Sequence, residues 1–292
     1  MSRPKKQTII SLASRLMPEQ LYLKLYYRLV FGKPLNLKDP KTYSEKLQWL
    51  KLNDHNPLYT QLVDKYSVRK YVSDRAGDQY LIPLLGVWDS FDDIDWEKLP
   101  NQFVLKTTHD SGTVIVCRDK GDFEVASARR GINASLARNY YYLTKEWPYR
   151  NVKPRIIAEQ YMDDGSGTGL RDYKFFCFNG EPEFLFVASD RGIHQTKFDF
   201  FDMQFQRLNI AQHYPNSEME IVRPESFDEM VSVAKALSRG LVHVRVDLYE
   251  VGGHPYFGEL TFYHFSGLAP FNPPEADERI GNMLDLEGLK HS

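Results

Sequence analysis

The sequence predicts an α+β protein in which antiparallel hairpins are interleaved with helices. Three observations predict it. The first hundred residues carry helical spacing with helix start and stop signals. From Gln102 onward, short runs rich in Val, Ile, Phe and Tyr alternate with polar turns. Two turn pairs, Asn179-Gly180 and Gly252-Gly253, each separate two such runs, as hairpins require. Of 292 residues 42% are hydrophobic, enough for a sizeable core in one large domain or two intimate ones.

In order along the chain, Pro18 opens a helix whose leucines Leu21, Leu25 and Leu29 share one face, with Gly32 just past its end. Thr42 or Ser44 starts a short helix through Trp49, and Tyr59 to Arg75 reads as a third, stopped by Gly77. Gln102 to Arg118 reads as strand, tight loop, strand. Glu124 to Tyr142 is a helix, and Arg155 to Met162 a short strand. Asp172 to Val187 is the clearest hairpin, because Asn-Gly is a favoured type I′ turn pair. Pro224 to Arg239 is a helix, and His243 to Tyr263 a second hairpin. Asp163 to Gly169 reads as a flexible loop.

The composition narrows function. A net charge of −2 gives no reason to expect nucleic-acid binding. No apolar run approaches the roughly 18 residues of a spanning helix. No secretory leader pattern opens the chain. Cys117 and Cys177 are too few for a disulfide framework or a four-cysteine zinc site. A soluble protein of a reducing compartment, the cytoplasm, is expected. No Gly-x-Ser-x-Gly, Walker A loop or Gly-x-Gly-x-x-Gly is present, and the histidines lack metal-ligand spacing.

What remains is a set of charged residues on strands. In the last hairpin His243, Arg245 and Asp247 alternate with Val244, Val246 and Leu248, so one face is polar. A three-residue loop, Gly252-Gly253-His254, would set Asp247 opposite Glu259 and Arg245 opposite Thr261; a two-residue loop would break that register. Opposed carboxylates repel unless a cation such as Mg²⁺ lies between them; the alternative is a solvated face with Arg245 neutralising Asp247. Lys106 ends the apolar run Phe103-Val104-Leu105 before a small-residue loop whose backbone N–H groups suit an anion; an ordinary turn beside a solvated lysine is the plainer alternative. Lys174 interrupts the aromatic run Tyr173-Lys174-Phe175-Phe176 and faces either solvent or a ligand. Glu159 either accepts from a nucleobase amino group or simply ends its strand.

The order of these pieces resembles the TupA-like ATP-grasp family of surface-polysaccharide synthesis. The resemblance rests on six segments from Pro34 to Pro273: YSEKLQWLKLND from Tyr43, LVDKYSVRKYV from Leu62, FVLKTTHDSG from Phe103, DYKFFCFNGEP from Asp172, VRVDLY from Val244 and FGELTFY from Phe257. It implies an ATP-grasp fold divided into an N-terminal helical region (1–79), a first subdomain with the phosphate loop (80–162) and a second with the metal-binding hairpin (163–292). It implies ATP and Mg²⁺ as cofactors. Lys106 and Lys174 match lysines that touch ATP phosphates, and Glu159 matches the acidic residue near adenine. Asp110, Ser111, Gly112 and Thr113 match the glycine-rich cover, Arg245 the arginine that steadies the transferred phosphoryl group, and Asp247 and Glu259 the Mg²⁺ ligands. Thr261 stands where many ATP-grasp enzymes carry Asn or Asp, and the cover is poorer in glycine than is usual.

The activity implied is ATP-dependent joining of a carboxylate to an amine through an acyl phosphate. The carboxylate would be a hexuronic acid of a surface glycan or its precursor, and the amine an amino acid or small amine. The other readings are a phosphotransferase acting on a sugar hydroxyl, a glycosyltransferase and a non-catalytic assembly scaffold. A glycosyltransferase would want Asp-x-Asp, which Asp92-Asp93 and Asp163-Asp164 do not supply; a scaffold would not need the full set of carboxylates and cations.

The N-terminal segment reads as a docking element. Arg3, Lys5, Lys6, Arg15, Lys24, Arg28 and Lys33 are balanced only by Glu19, and Ile9, Ile10, Leu12, Leu16, Leu21, Leu25 and Leu29 form an apolar stripe. Such a stripe either lies on an anionic membrane surface or, more commonly, packs against the protein's own body.

Overall fold

The computed structural model describes residues 14–165, 169–190 and 195–289. Two antiparallel sheets organise it. Strands β1 (Leu84–Trp88), β2 (Phe103–Thr107), β3 (Val114–Cys117) and β4 (Ile156–Gln160) form a four-stranded sheet in the order β1-β4-β2-β3. Strands β5 (Asp172–Phe178), β6 (Glu181–Ser189), β7 (Lys197–Asp202), β9 (His243–Val251) and β10 (His254–Thr261) form a five-stranded sheet in the order β10-β9-β5-β6-β7. A two-stranded pair joins β8 (Ala211–Gln212) to β11 (Phe271–Asn272).

Helix α1 (Glu19–Phe31) ends as expected at a left-handed Gly32 with φ 69°. Helix α2 (Tyr43–Asn53) starts at a capping box, in which Thr42 accepts from the Glu45 amide while Glu45 reaches back to the Thr42 amide. The single helix expected over 59–75 is instead two, α3 (Leu58–Val63) and α4 (Val68–Arg75). Asp64 divides them: its carboxylate accepts from the Tyr66 amide at 3.0 Å and the Ser67 hydroxyl at 2.8 Å, a local turn that competes with helix. The helix expected from Glu124 is likewise divided, into α5 (Val125–Leu136) and the single turn α6 (Tyr141–Thr144).

Helix α7 (Phe227–Ser238) lays Phe227, Met230, Val233, Ala234 and Leu237 on one face of the large sheet, meeting Phe175, Val244, Val246 and Leu248. The even-numbered side chains of β5 and the odd-numbered ones of β9 take the other face. The small sheet has its own core of Phe91, Phe103, Leu105, Cys117, Ile132, Ile156 and Ala158. The sheets approach where Leu81, leading into β1, bridges to Phe257 on β10, and where Gln79 O accepts from His254 Nε2 at 2.9 Å. Helix α8 (Glu275–Met283), which has no counterpart in the sequence reading, takes up α2: Asp277 accepts from both the amide and hydroxyl of Ser44. Among the described residues no helix is long and apolar enough to cross a membrane.

Both hairpins form. Asn179 and Gly180 have φ of 51° and 85°, and Phe178 pairs with Glu181, giving the expected two-residue turn. The second hairpin departs from expectation. Its turn is Gly252-Gly253, with φ of 60° and 73°, and His254 pairs with Val251. Asp247 nevertheless faces Glu259 and Arg245 faces Thr261, because a bulge at Gly258 advances the register by one residue. A Cβ on Gly258 would lie 3.0 Å from the Tyr249 ring and 3.1 Å from Asp247 O.

Candidate active site

Charged side chains converge on the polar face of the large sheet. Lys174 on β5 is directly opposite Asp247 on β9 and is paired with it, and lies 3.4 Å from Asp172. Arg245 donates to Asp247 through Nε at 2.6 Å and Nη2 at 2.7 Å, and reaches Thr261 Oγ1 at 3.0 Å and Glu259 at 3.4 Å. Its Nη1 donates to His264 Nδ1 at 2.6 Å, and His264 Nε2 donates to Gln212 Oε1 at 2.7 Å. The imidazole is therefore the neutral Nε2–H tautomer. Burial, then the neighbouring Arg245 and Lys174, hold its pKa well below the ordinary range. Burial alone would raise the pKa of Asp247, but Arg245 and Lys174 outweigh it and hold the carboxyl low.

The opposed carboxylates expected from the sequence are present, but their relation without metal differs. Arg245 and Lys174 take the oxygens of Asp247, so the pair is bridged by cations rather than left repelling. Among the described residues no group of three or more His, Cys, Asp or Glu side chains is placed to hold a metal ion. Asp247 and Glu259 form a two-carboxylate set. That set fits Mg²⁺ only as an ion completed by water and phosphate oxygens. Glu259, with its side chain 34% exposed, is the accessible member; that of Asp247 is 1% exposed.

The small sheet carries the second cluster. Lys106 Nζ bonds Glu159 Oε2 at 2.6 Å, while Arg69 Nη1 bonds Glu159 Oε1 at 3.1 Å. Val104 faces Glu159 across the ladder, which puts Lys106 diagonal to that glutamate on the same face. Both oxygens of Glu159 thus serve cations, and in this arrangement it is the counter-ion of Lys106. Arg69 comes from α4 and also donates to Ile82 O at 2.9 Å. The sequence reading missed it; its one signal was its place in the segment from Leu62 to Val72.

Asp110 turns inward. It accepts from the hydroxyls of Thr107 and Thr113, both at 2.6 Å, and from that of Ser135. Burial raises its pKa, yet these hydroxyl bonds bring it below the ordinary value. The carboxylate therefore pins the loop, and Ser111 and Gly112 (φ 97°) are its exposed part. Burial, then the charges of Glu146, Glu259 and Asp110, push the Tyr140 hydroxyl well above its ordinary pKa, so this ring stands between the loop and the large-sheet cluster.

A buried support stands behind Arg245. Lys51 of α2, wholly inaccessible, donates to Thr144 O at 2.9 Å, Ser266 O at 2.9 Å, Ser266 Oγ at 2.6 Å and Gln48 Oε1 at 3.2 Å. The turn it holds has three successive left-handed residues, Phe265, Ser266 and Gly267, a conformation that needs surrounding restraint. His264 begins that turn, so α2 sets the partner of Arg245.

The TupA-like ATP-grasp family model matches residues 45–285. The chain belongs to the TupA-like ATP-grasp family. Membership places it among ATP-dependent ligases. No curated protein matches it. Solved structures similar to this family member include a D-alanine–D-alanine ligase from Bacillus anthracis complexed with ATP (16% identity, 80% of this chain and 67% of that one, TM-score 0.45). A second is the D-cycloserine synthetase DcsG (18%, 94% and 95%, TM-score 0.44). A third is a D-alanine–D-alanine ligase from Helicobacter pylori (14%, 87% and 70%, TM-score 0.43).

Proposed function

We propose that the protein joins a carboxylate to an amine at the expense of ATP, the carboxylate being a hexuronic acid of a surface glycan or its precursor and the amine an amino acid or small amine. The observation that carries the nucleotide part is the set of three cations, Lys106, Lys174 and Arg245, each held on a sheet face by a carboxylate. A polyphosphate can take over those cations one for one. Family membership supports ligation, and the glycan substrate rests on the family's association with surface polysaccharide.

In the first step a carboxylate oxygen of the acid attacks the γ-phosphorus of ATP and ADP leaves. In the second, the amine nitrogen attacks the acyl carbon, phosphate leaves and the nitrogen loses a proton. Arg245, fixed by His264 and Thr261, is placed to steady the phosphoryl oxygens during transfer. Lys174 moves its charge from Asp247 to phosphate, and Lys106 does the same from Glu159. A Mg²⁺ ion held by Glu259 and Asp247 would supply further neutralisation of the phosphates. The backbone of Ser111 to Thr113 covers them, with Asp110 holding the loop in place.

Lys106→Met and Lys174→Met are each expected to weaken ATP binding by about 1–3 kcal/mol, the scale of a charge-assisted contact. Calorimetric titration of folded variants checks this, and unchanged affinity in both would sink the phosphate assignment. The substrate class is tested by a matrix of uronic acids, nucleotide-linked uronic acids and amines, read by ADP release and product mass. A uronamide is expected; a stable sugar phosphate formed without amine would replace ligation with phosphotransfer.

A further inference from the structure

Helix α1 has two unlike faces. Tyr22, Leu23 and Tyr27 turn inward and join Leu35 in a small core, and Tyr22 donates to Leu143 O at 2.8 Å. These are not the residues the leucine spacing pointed to. Leu21, Leu25 and Leu29, at positions i, i+4 and i+8, form the outward face and are 47%, 47% and 83% exposed; Leu16, just ahead of the helix, is 81% exposed. The leucine stripe therefore does not pack on the body.

The residues beside the stripe are cations. Lys24 and Arg28 are exposed on the same outward face, with Arg15 before the helix and Lys33 after it. Glu19, the one acid in residues 1–33, is engaged by the Tyr141 hydroxyl. A chain of net charge −2 thus concentrates positive charge along one row of leucines. The helix is held by its inner face, so the outer row can be presented to a flat partner over about 20 Å, the length of 13 residues. Leucines between cations, with the half-buried Glu19 the one acid of residues 1–33, complement an anionic lipid surface: the apolar groups enter the acyl boundary and the cations meet headgroups. Ile9, Ile10, Leu12, Arg3, Lys5 and Lys6 continue that composition in sequence, outside the described residues.

We propose that the outward face of α1 seats the protein on an anionic phospholipid surface. The inference does not depend on the ligase reading. The full chain is to be co-sedimented with vesicles of phosphatidylcholine alone and of phosphatidylcholine with phosphatidylglycerol in equal parts, at low and physiological salt. Wild type is expected to partition at least ~10-fold more onto the anionic vesicles, since each cation near such a surface adds roughly 5-fold, and to lose part of that at higher salt. The Lys24→Glu/Arg28→Glu variant should lose the preference. Leu21→Ser/Leu25→Ser/Leu29→Ser should lower partitioning at both salts; all five positions are exposed, and circular dichroism verifies that the folds match. Negligible binding of wild type to both vesicles would overturn the proposal. So would anionic binding unchanged in both variants. A wild-type dimer dissolved by the serine variant, without vesicle binding, would assign the face to a second copy instead.

Discussion

Asp247→Asn is expected to abolish turnover and to lower the stability of the unliganded protein by about 3–5 kcal/mol, the usual cost of removing one partner from a buried ion pair. Both Asp247 oxygens are occupied by Arg245, and Lys174 shares one of them. The Asn variant leaves two buried cations with only Asp172 and Glu259 near them. Opposed carboxylates with no cation between them would repel, and removing one could then stabilise. The sign reverses because Arg245 folds back along its own strand and Lys174 reaches across from the next. The folded pKa of Asp247 is held low, so its contribution is fully present above the unfolded value of about 3.9 and is lost as pH falls through the folded value. Denaturant unfolding at pH 7 should show the full gap between wild type and variant, and the gap should narrow in strong acid. An Asn variant as stable as wild type at pH 7 would refute the ion-pair account.

Lys51→Met should cost about 1.5–3 kcal/mol, the scale of hydrogen bonds to a charged group, and should also slow turnover although Lys51 lies behind the site. The variant removes the ammonium's bonds to Thr144 O, Ser266 O, Ser266 Oγ and Gln48 Oε1, although Ser266 O keeps its bond from Gln48 Nε2 at 2.9 Å, and it takes away the positive charge that favours the ionised form of buried Glu146. Burial pushes Lys51 down to about 8 against the attraction of Glu146, and pushes Glu146 up to about 7 against that of Lys51. The raised Glu146 value means the folded protein keeps that proton longer than the unfolded chain. Wild-type stability should therefore fall as pH rises from about 4.5 to about 7. Lys51, lowered, gives the opposite trend above about 8. The double variant Lys51→Met/Glu146→Gln should flatten the lower limb and recover part of the loss, because no buried charge is then unpaired. Urea midpoints at pH 5 and pH 7.5 for the three proteins check this; a wild-type midpoint insensitive to pH beside a sloping double variant would exclude the pair. The slower turnover follows from the left-handed turn at 265–267, which Lys51 restrains and from which His264 meets Arg245.

The elements that could be read in sequence were those whose signals are local. Asn179-Gly180 specifies its turn by backbone preference alone, and Gly32 stops α1 for the same reason. Lys174 stood out because a lysine inside an aromatic strand contradicts its surroundings. The partners of these residues are another matter. Arg69 and Glu159 are 90 positions apart, and His264 with Gln212 52 apart; nothing in either segment announces the other. Asp64 ended a helix through side-chain bonds that compete with helical periodicity. On α1 the leucine spacing was real, but it marked the outward face, because two tyrosines and Leu23 anchor the inner one.

The bulge at Gly258 has a signal that was present and unread. Phe257 and Leu260 both face the core, three positions apart, which no regular strand allows. Turn and bulge behave like a pair of compensating frameshifts. The two-glycine turn by itself would set Glu259 opposite Val246 and drive the carboxylate into the apolar layer under α7; the extra residue at 258 restores the frame before Glu259 is reached. The active-site face of β10 is thus encoded by the difference between two irregularities and not by either one. A lineage that lengthened the turn by one residue could discard the bulge and keep every charged group where it stands, so that equal geometry would be written in sequences that align only with a gap.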